Sequence, residues 1–292
     1  MRILLIGGTG QLGGDLVRNN PGHDLVVPGR EELDVVRTDQ VSTALAVYRP
    51  ELVINCAAFH NVPLCETRPD AAFQTNCVAM RDLAVACRHF GARLLTFSSD
   101  YVFGGDRREP YAEDDLPQPL QIYGISRLAG EHAVLSSAPG MAIVIRTCGL
   151  YGRNGARSKG GNFVDGRIAD ARAGRTIEMT CEQIVAPTSS DDLSRAVFAL
   201  IEEGTGLDGI YHLVNAGACS WYEFTCEIVR LSGFRTSVIP VDRGGKSGEM
   251  RRPIYSVLEN VRARKLGVTL RPWQEALEEY LRIKYPETAR RA

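Results

Sequence analysis

The chain has 292 residues, 44% of them hydrophobic, and a formal charge of -1 at pH 7. That is enough apolar material for a substantial core, arranged as one large domain or two modest ones. The mixed placement of acidic and basic residues leaves no basic field for nucleic acid and no acidic tail, and no apolar run reaches the ~18 to 20 residues that span a bilayer.

Met1-Arg2 leads straight into a strand pattern, so the sequence predicts no export signal and a cytoplasmic protein. Eight cysteines, at 56, 65, 77, 87, 148, 181, 219 and 226, form no C-x-x-C pair and have no clustered histidine. They argue against zinc and for reduced thiols, several packed as small hydrophobes.

The first half alternates short apolar runs with longer amphipathic ones, the pattern of β-α-β units and a parallel sheet. Ile3 to Ile6 is the first strand, followed by Gly7-Gly8-Thr9-Gly10-Gln11-Leu12-Gly13 and a helix from Leu12 to Arg18. Glycines allow a tight turn and let backbone approach a pyrophosphate, whose charge the helix start attracts; strand before and helix after is the context that gives such a motif meaning. The second strand, Asp24 to Val27, ends in Pro28-Gly29-Arg30 and not in the carboxylate that would hold an NAD ribose. Arg30 either meets a 2'-phosphate or stands as an exposed arginine beside Glu31 and Glu32.

Leu52 to Asn55 is the third strand. From Asp70 to Phe90, Phe73, Cys77, Met80, Leu83, Ala84 and Cys87 recur at helical spacing, with Gly91 at the C-cap, which predicts a single crossover helix. The fourth strand, Arg93 to Phe97, runs into Ser98-Ser99-Asp100-Tyr101, at the strand end where open sheets hold ligands. Tyr123-Gly-Ile-Ser-Arg127 opens the next helix and puts a phenol and a permanent cation on one face. A nearby cation favours the phenolate and eases proton exchange with a substrate oxygen, to which Ser99 also hydrogen-bonds. Ala142 to Ile145 is the fifth strand.

Beyond residue 150 the pattern loosens. Tyr151 to Gly161, rich in Gly, Arg, Lys and Asn, reads as a mobile loop between lobes, and Ser220-Trp-Tyr-Glu223 as a capping box opening a helix that ends at Gly233. The division expected is a dinucleotide-binding domain over 1–150, with a returning segment near 185–215, and a mainly substrate-binding lobe over 151–292.

The order of glycine turn, Ser-Ser-Asp-Tyr and Tyr-x-x-x-basic resembles the extended short-chain dehydrogenase/reductases, and among them the dTDP-4-dehydrorhamnose reductases. The likeness extends through Asn55-Cys-Ala-Ala58, Ser99 to Phe103, Pro110 to Asp114, Tyr123 to Glu131, Arg146-Thr147, Asn162 to Val164, Ala186 to Thr188, Ser220 to Phe224 and Arg252-Pro253. It implies a Rossmann-type doubly wound α/β sheet with a smaller C-terminal α/β lobe. It also implies NADPH, with NADH as the alternative, reducing the 4-keto group of a dTDP-4-dehydro-6-deoxyhexose. In that scheme Gly7, Gly10, Gln11, Leu12 and Gly13 meet the pyrophosphate, Asp34 and Val35 lie along the adenine, and Ala57, Ala58 and Phe59 line the far side of the cofactor. Tyr123 donates the proton, Ser99 tunes it, Arg127 supports it at the nicotinamide ribose, and Asp100, His60 and Asn162 lie at the substrate.

The chain departs from that pattern in having Arg127 for lysine, Gly149 for tryptophan, and His60-Asn-Val-Pro63 for Thr-Ala-Val-Asp. A second reading, suggested by Arg127 and Gly149, is a catalytically weak NADP-binding regulatory subunit like that of methionine adenosyltransferase, and a third keeps the cofactor for another nucleotide-sugar reduction or epimerisation. The partner expected is a nucleotide sugar, with no nucleic acid, membrane or metal. The oligomeric state is open, a homodimer included.

Overall fold

The computed structural model describes residues 1–155, 160–203, 206–247 and 250–287. In chain order the first half gives β1 (Arg2–Ile6), α1 (Gln11–Arg18), β2 (Asp24–Val26), α2 (Thr38–Tyr48), β3 (Leu52–Asn55), α3 (Val62–Thr67), α4 (Pro69–Phe73), α5 (Ala79–Phe90), β4 (Arg93–Ser99), α6 (Ile122–Ser137) and β5 (Ala142–Thr147). The second half gives β6 (Leu150–Tyr151), α7 (Phe163–Arg172), β7 (Ile177–Thr180), β8 (Ile184–Val185), β9 (Thr188–Ser189), α8 (Ser190–Glu203), β10 (Gly209–His212), β11 (Cys219–Ser220), α9 (Trp221–Ser232) and β12 (Val238–Val241). A last long helix covers Trp273–Lys284.

The main sheet has six strands in the order β10-β5-β4-β3-β1-β2, every neighbouring pair parallel. Alternation along each strand sends side chains to opposite faces, so each face needs its own helical layer. Ile3, Leu5, Leu95, Ile143 and Ile145 pack with Leu12 and Leu16 of α1 and Leu193 and Val197 of α8. On the other face, Leu4, Val53, Leu94 and Val144 pack with Leu45 of α2, Leu83 of α5 and Val134 of α6. The fold is a doubly wound α/β sheet with a smaller C-terminal α/β region. In that region β7 pairs with β12, and a separate apolar cluster gathers Tyr151, Val164, Phe224, Ile228, Trp273 and Leu277.

The expected crossover helix over 70–90 is not one regular helix. A π-helical turn, Gln74–Val78, separates α4 from α5, and Gly91 ends α5 in the left-handed conformation at φ 73°. The widened turn brings Asn76 against α6, which approaches so closely that a Cβ at Gly130 would lie 2.0 Å from the Asn76 carbonyl oxygen. The capping box at Ser220 forms with both of its hydrogen bonds, and Gly233 ends α9. Of the loop read over 151–161, residues 156–159 lie outside those described. Its described start packs tightly, a Cβ at Gly152 falling 1.8 Å from Ser190 Oγ and 3.0 Å from the Gln11 side chain.

Candidate active site

The glycine turn sits at the C-terminal end of β1. Gly7 holds φ 80°, a conformation that favours glycine, and a Cβ at Gly13 would fall 2.2 Å from the Gly7 carbonyl oxygen. The steric reason for both glycines is therefore on the page. Gly10 stands at the N-cap of α1 with no side-chain cap, and the helix has no acidic residue in its first turn. With neither a capping side chain nor a first-turn carboxylate competing for its leading N–H groups, the turn fits a dinucleotide pyrophosphate.

Ala57 abuts this turn, since a Cβ at Gly7 would lie 3.2 Å from its amide nitrogen, and the Ala57 amide donates to Asn55 Oδ1 at 3.1 Å. Asn76 grips Phe59 twice, accepting from its N–H and donating to its C=O, each at 2.9 Å. Asn76 also donates to Ser126 Oγ at 3.1 Å and receives a long contact from Arg127 Nη1 at 3.5 Å. One amide thus ties the 57–59 segment to α6. His60 turns its Nδ1 to the Ala58 carbonyl at 3.3 Å.

Arg30 is exposed, with 88% of its side chain accessible, and its ionic partner is Asp34 at 3.2 Å and not Glu31 or Glu32. Asp34 also accepts from the Val36 amide, and Val35 is buried beneath α2. Neither contact prevents Arg30 from swinging onto a phosphate.

Ser99, Tyr123 and Arg127 converge at the C-terminal end of β4. Tyr123 is half-buried and meets Tyr101 edge-on at 6.0 Å between centroids, while Arg127 is buried with no partner for Nε. The expectation that Arg127 would make the phenolate readily available is corrected in sign. Burial pushes the Tyr123 phenol above its ordinary value, against the opposing pull of Arg127 and a hydrogen bond from Ser99. Desolvation outweighs the cation, and Tyr123 stands as a protonated donor.

Two residues expected at the substrate are engaged elsewhere. Asp100 is buried, its Oδ1 facing Ser99 Oγ at 2.8 Å and its Oδ2 facing Ser256 Oγ at 2.6 Å and Cys148 Sγ at 3.1 Å. Asn162 is the N-cap of α7, accepting from the Asp165 amide and donating to the Gly152 carbonyl and Tyr280 Oη. Both side chains make these hydrogen bonds within the protein.

Residues without an assigned role in the sequence complete the site. Arg252 donates to Tyr101 Oη at 3.0 Å, and its buried Nε has no partner among the described residues. It lines a cavity of about 580 Å³ with Lys246, Arg251, Gln118 and Ile254. Arg252-Pro253 was legible as a motif, but only the tertiary contact assigns it to the catalytic turn. Asn76 shares the helical spacing of Phe73, Met80 and Leu83, but its partners, Phe59 and Ser126, are distant in sequence, so its role showed only in the folded chain.

A family model described as RmlD substrate binding domain matches residues 1–285. The chain belongs to this family. It is an oxidoreductase fold of the NAD(P)-dependent dTDP-sugar reductase kind. The probable dTDP-4,6-dihydroxy-2-methyloxan-3-one 4-ketoreductase of Streptomyces antibioticus is 38% identical over the whole of both chains. The dTDP-4-dehydrorhamnose reductase of Streptomyces griseus is 36% identical, covering 95% of this chain and 92% of that one. Among solved structures, the NADP complex of dTDP-4-dehydrorhamnose reductase from Bacillus anthracis superposes with a TM-score of 0.89 at 35% identity, covering 96% of this chain and 98% of that one.

Proposed function

We propose that the protein reduces the 4-keto group of a dTDP-4-dehydro-6-deoxyhexose with NADPH, dTDP-4-dehydrorhamnose being the substrate to try first. The observation that carries this reading is the placement of the Tyr123 phenol beside Ser99 and Arg127 at the ligand edge of the sheet, where burial raises it above its ordinary value. Bound NADPH supplies a hydride to C4. The remaining chemistry falls to the chain. Tyr123 gives its proton to the oxygen on which charge develops, Ser99 hydrogen-bonds that oxygen, and Arg127 stabilises the phenolate left behind. The cationic lining of the 580 Å³ cavity, beside Tyr101, suits the diphosphate of a nucleotide sugar.

A Tyr123→Phe variant is expected to lose about 100-fold or more in kcat while keeping its NADPH affinity. Because its phenol is held up by burial, the wild type keeps its proton donor through neutral pH and loses it only as pH rises through that raised value. NADPH oxidation followed with dTDP-4-dehydrorhamnose from coupled synthesis tests both, and product NMR identifies the reduced sugar. Unimpaired turnover by Tyr123→Phe removes Tyr123 from the mechanism. NADPH binding without oxidation toward any dTDP-4-keto sugar favours the regulatory reading.

A further inference from the structure

Asp100 follows Ser99 directly, is buried, and is held from both halves of the molecule: by Cys148 just beyond β5 and by Ser256 in the C-terminal region. Its two oxygens are not equivalent. Oδ2 faces the Ser256 hydroxyl and the Cys148 thiol, while Oδ1 faces only Ser99 Oγ among the hydrogen bonds described. A carboxylate here would draw the Ser99 hydrogen onto Oδ1 and leave Ser99 only as an acceptor. A carboxylic acid has one well-placed site for its proton, Oδ1, because Oδ2 is occupied by two donors. Ser99 would then accept from Asp100 and from the Tyr101 amide, which approaches at 3.2 Å, and its own hydrogen would be free.

We propose that Asp100 is a positioning residue that works as a neutral carboxylic acid, its proton on Oδ1 turning the Ser99 hydroxyl into a donor toward Tyr123 and the substrate oxygen. This rests on the reductase reading for its catalytic consequence, though not for the state of Asp100 itself. Burial raises the carboxyl above its ordinary value despite hydrogen bonds from Ser256, Cys148 and Ser99. The other titratable and charged groups around this cluster are Tyr101 with Arg252, Tyr123 with Arg127, the Cys148 thiol and Cys65. An acid kept neutral so that it can donate is a known device of buried sites. Ser256 lies four residues beyond Arg252, which lines the cavity and bonds Tyr101. One C-terminal segment therefore holds two consecutive residues of the catalytic turn.

Asn mimics the neutral acid: its Oδ1 can face Ser256 and Cys148 while its Nδ2 donates to Ser99. Asp100→Asn is expected to keep kcat within about fivefold, and Asp100→Ala to lose roughly tenfold or more with NADPH affinity unchanged. The descending alkaline limb of wild-type kcat set by Asp100 ionisation should vanish in Asp100→Asn, leaving only that of Tyr123. Ser256→Ala, which removes a donor favouring the carboxylate, should move the Asp100 limb to higher pH. Independently of turnover, the infrared difference between wild type and Asp100→Asn at neutral pH should contain a protonated-carboxyl band. Absence of that band overturns the proposal even if the enzyme is active. It is equally overturned if Asp100→Asn is as slow as Asp100→Ala, if its KM rises with kcat intact, if the Asp100 limb persists in Asp100→Asn, or if that limb does not move in Ser256→Ala. A wild type inert toward every dTDP-4-keto sugar sinks the reductase reading instead, and the band still decides the state of Asp100.

Discussion

Arg127 is where a single residue bears most on rate. A guanidinium cannot give up its proton near neutrality, so it keeps the electrostatic help to Tyr123 but cannot relay protons as an ammonium can. Its protein contacts are few: Nη1 reaches Asn76 only at 3.5 Å, and Nε has no partner among the described residues. Arg127→Lys is therefore expected to raise kcat a few-fold and Arg127→Met to lower it about 100-fold, measured as NADPH oxidation. Loss of activity in both variants would instead mean a site built for arginine. Arg30 poses a simpler question of balance. Its exposed pair with Asp34 contributes ~0 to 1 kcal/mol, less than a charge-assisted contact to phosphate, so the arginine can leave Asp34 when a 2'-phosphate arrives. Arg30→Ala should weaken NADPH binding about tenfold and leave NADH nearly unchanged; equal losses in titrations of the two cofactors would make the residue structural.

At the level of elements, α6 is the piece that must be held still. Tyr123, Arg127 and Glu131 follow at helical spacing, and Glu131 forms a buried ion pair with Arg146 of β5, with Nη2 to Oε2 at 2.6 Å and Nε to Oε1 at 3.0 Å. Removing one partner leaves the other charge buried, so Glu131→Ala should cost about 3 to 5 kcal/mol in denaturant unfolding. His212 of β10 stands behind this pair. Its Nδ1 faces the Tyr111 and Glu259 carbonyls, and burial, with Arg146 beside it, depresses its value to about 3. The sign follows from linkage: an unfolded His takes a proton below about 6.5 while the folded one does not until about 3, so stability falls as pH drops through that window. A His212→Gln variant should show a flatter acid-unfolding curve, by about 1.4 kcal/mol per pH unit. The strands and glycine turn were legible because alternation, helical spacing and steric demand are local. The π turn at Asn76 and the inward Asp100 were not, because each depends on an element distant in sequence.

At the scale of the molecule, the question is how the C-terminal region recognises a substrate whose reacting carbon lies at the sheet edge. Arg252 is the joint. It reaches the catalytic turn through Tyr101 Oη, whose ring packs edge-on against Tyr123, and it lines the cavity with Lys246 and Arg251. The lining also contains Asp106, whose charge offsets only part of the cationic excess. A buried guanidinium nitrogen without a partner loses the solvation it had in water, and a bound anion is the natural compensation. Arg252→Met should therefore raise the KM for a dTDP-4-keto sugar by roughly 10- to 100-fold while the dissociation constant of NADPH stays within about twofold. Lysine restores charge but not the planar fork, so Arg252→Lys should fall between the two. The salt response separates recognition from mere packing: if Arg252 meets a diphosphate, the wild-type KM should rise with ionic strength more steeply than that of Arg252→Met. Parallel salt curves for the two proteins, or a loss confined to kcat, would place the nucleotide's charges elsewhere and leave Arg252 as the residue that orients Tyr101.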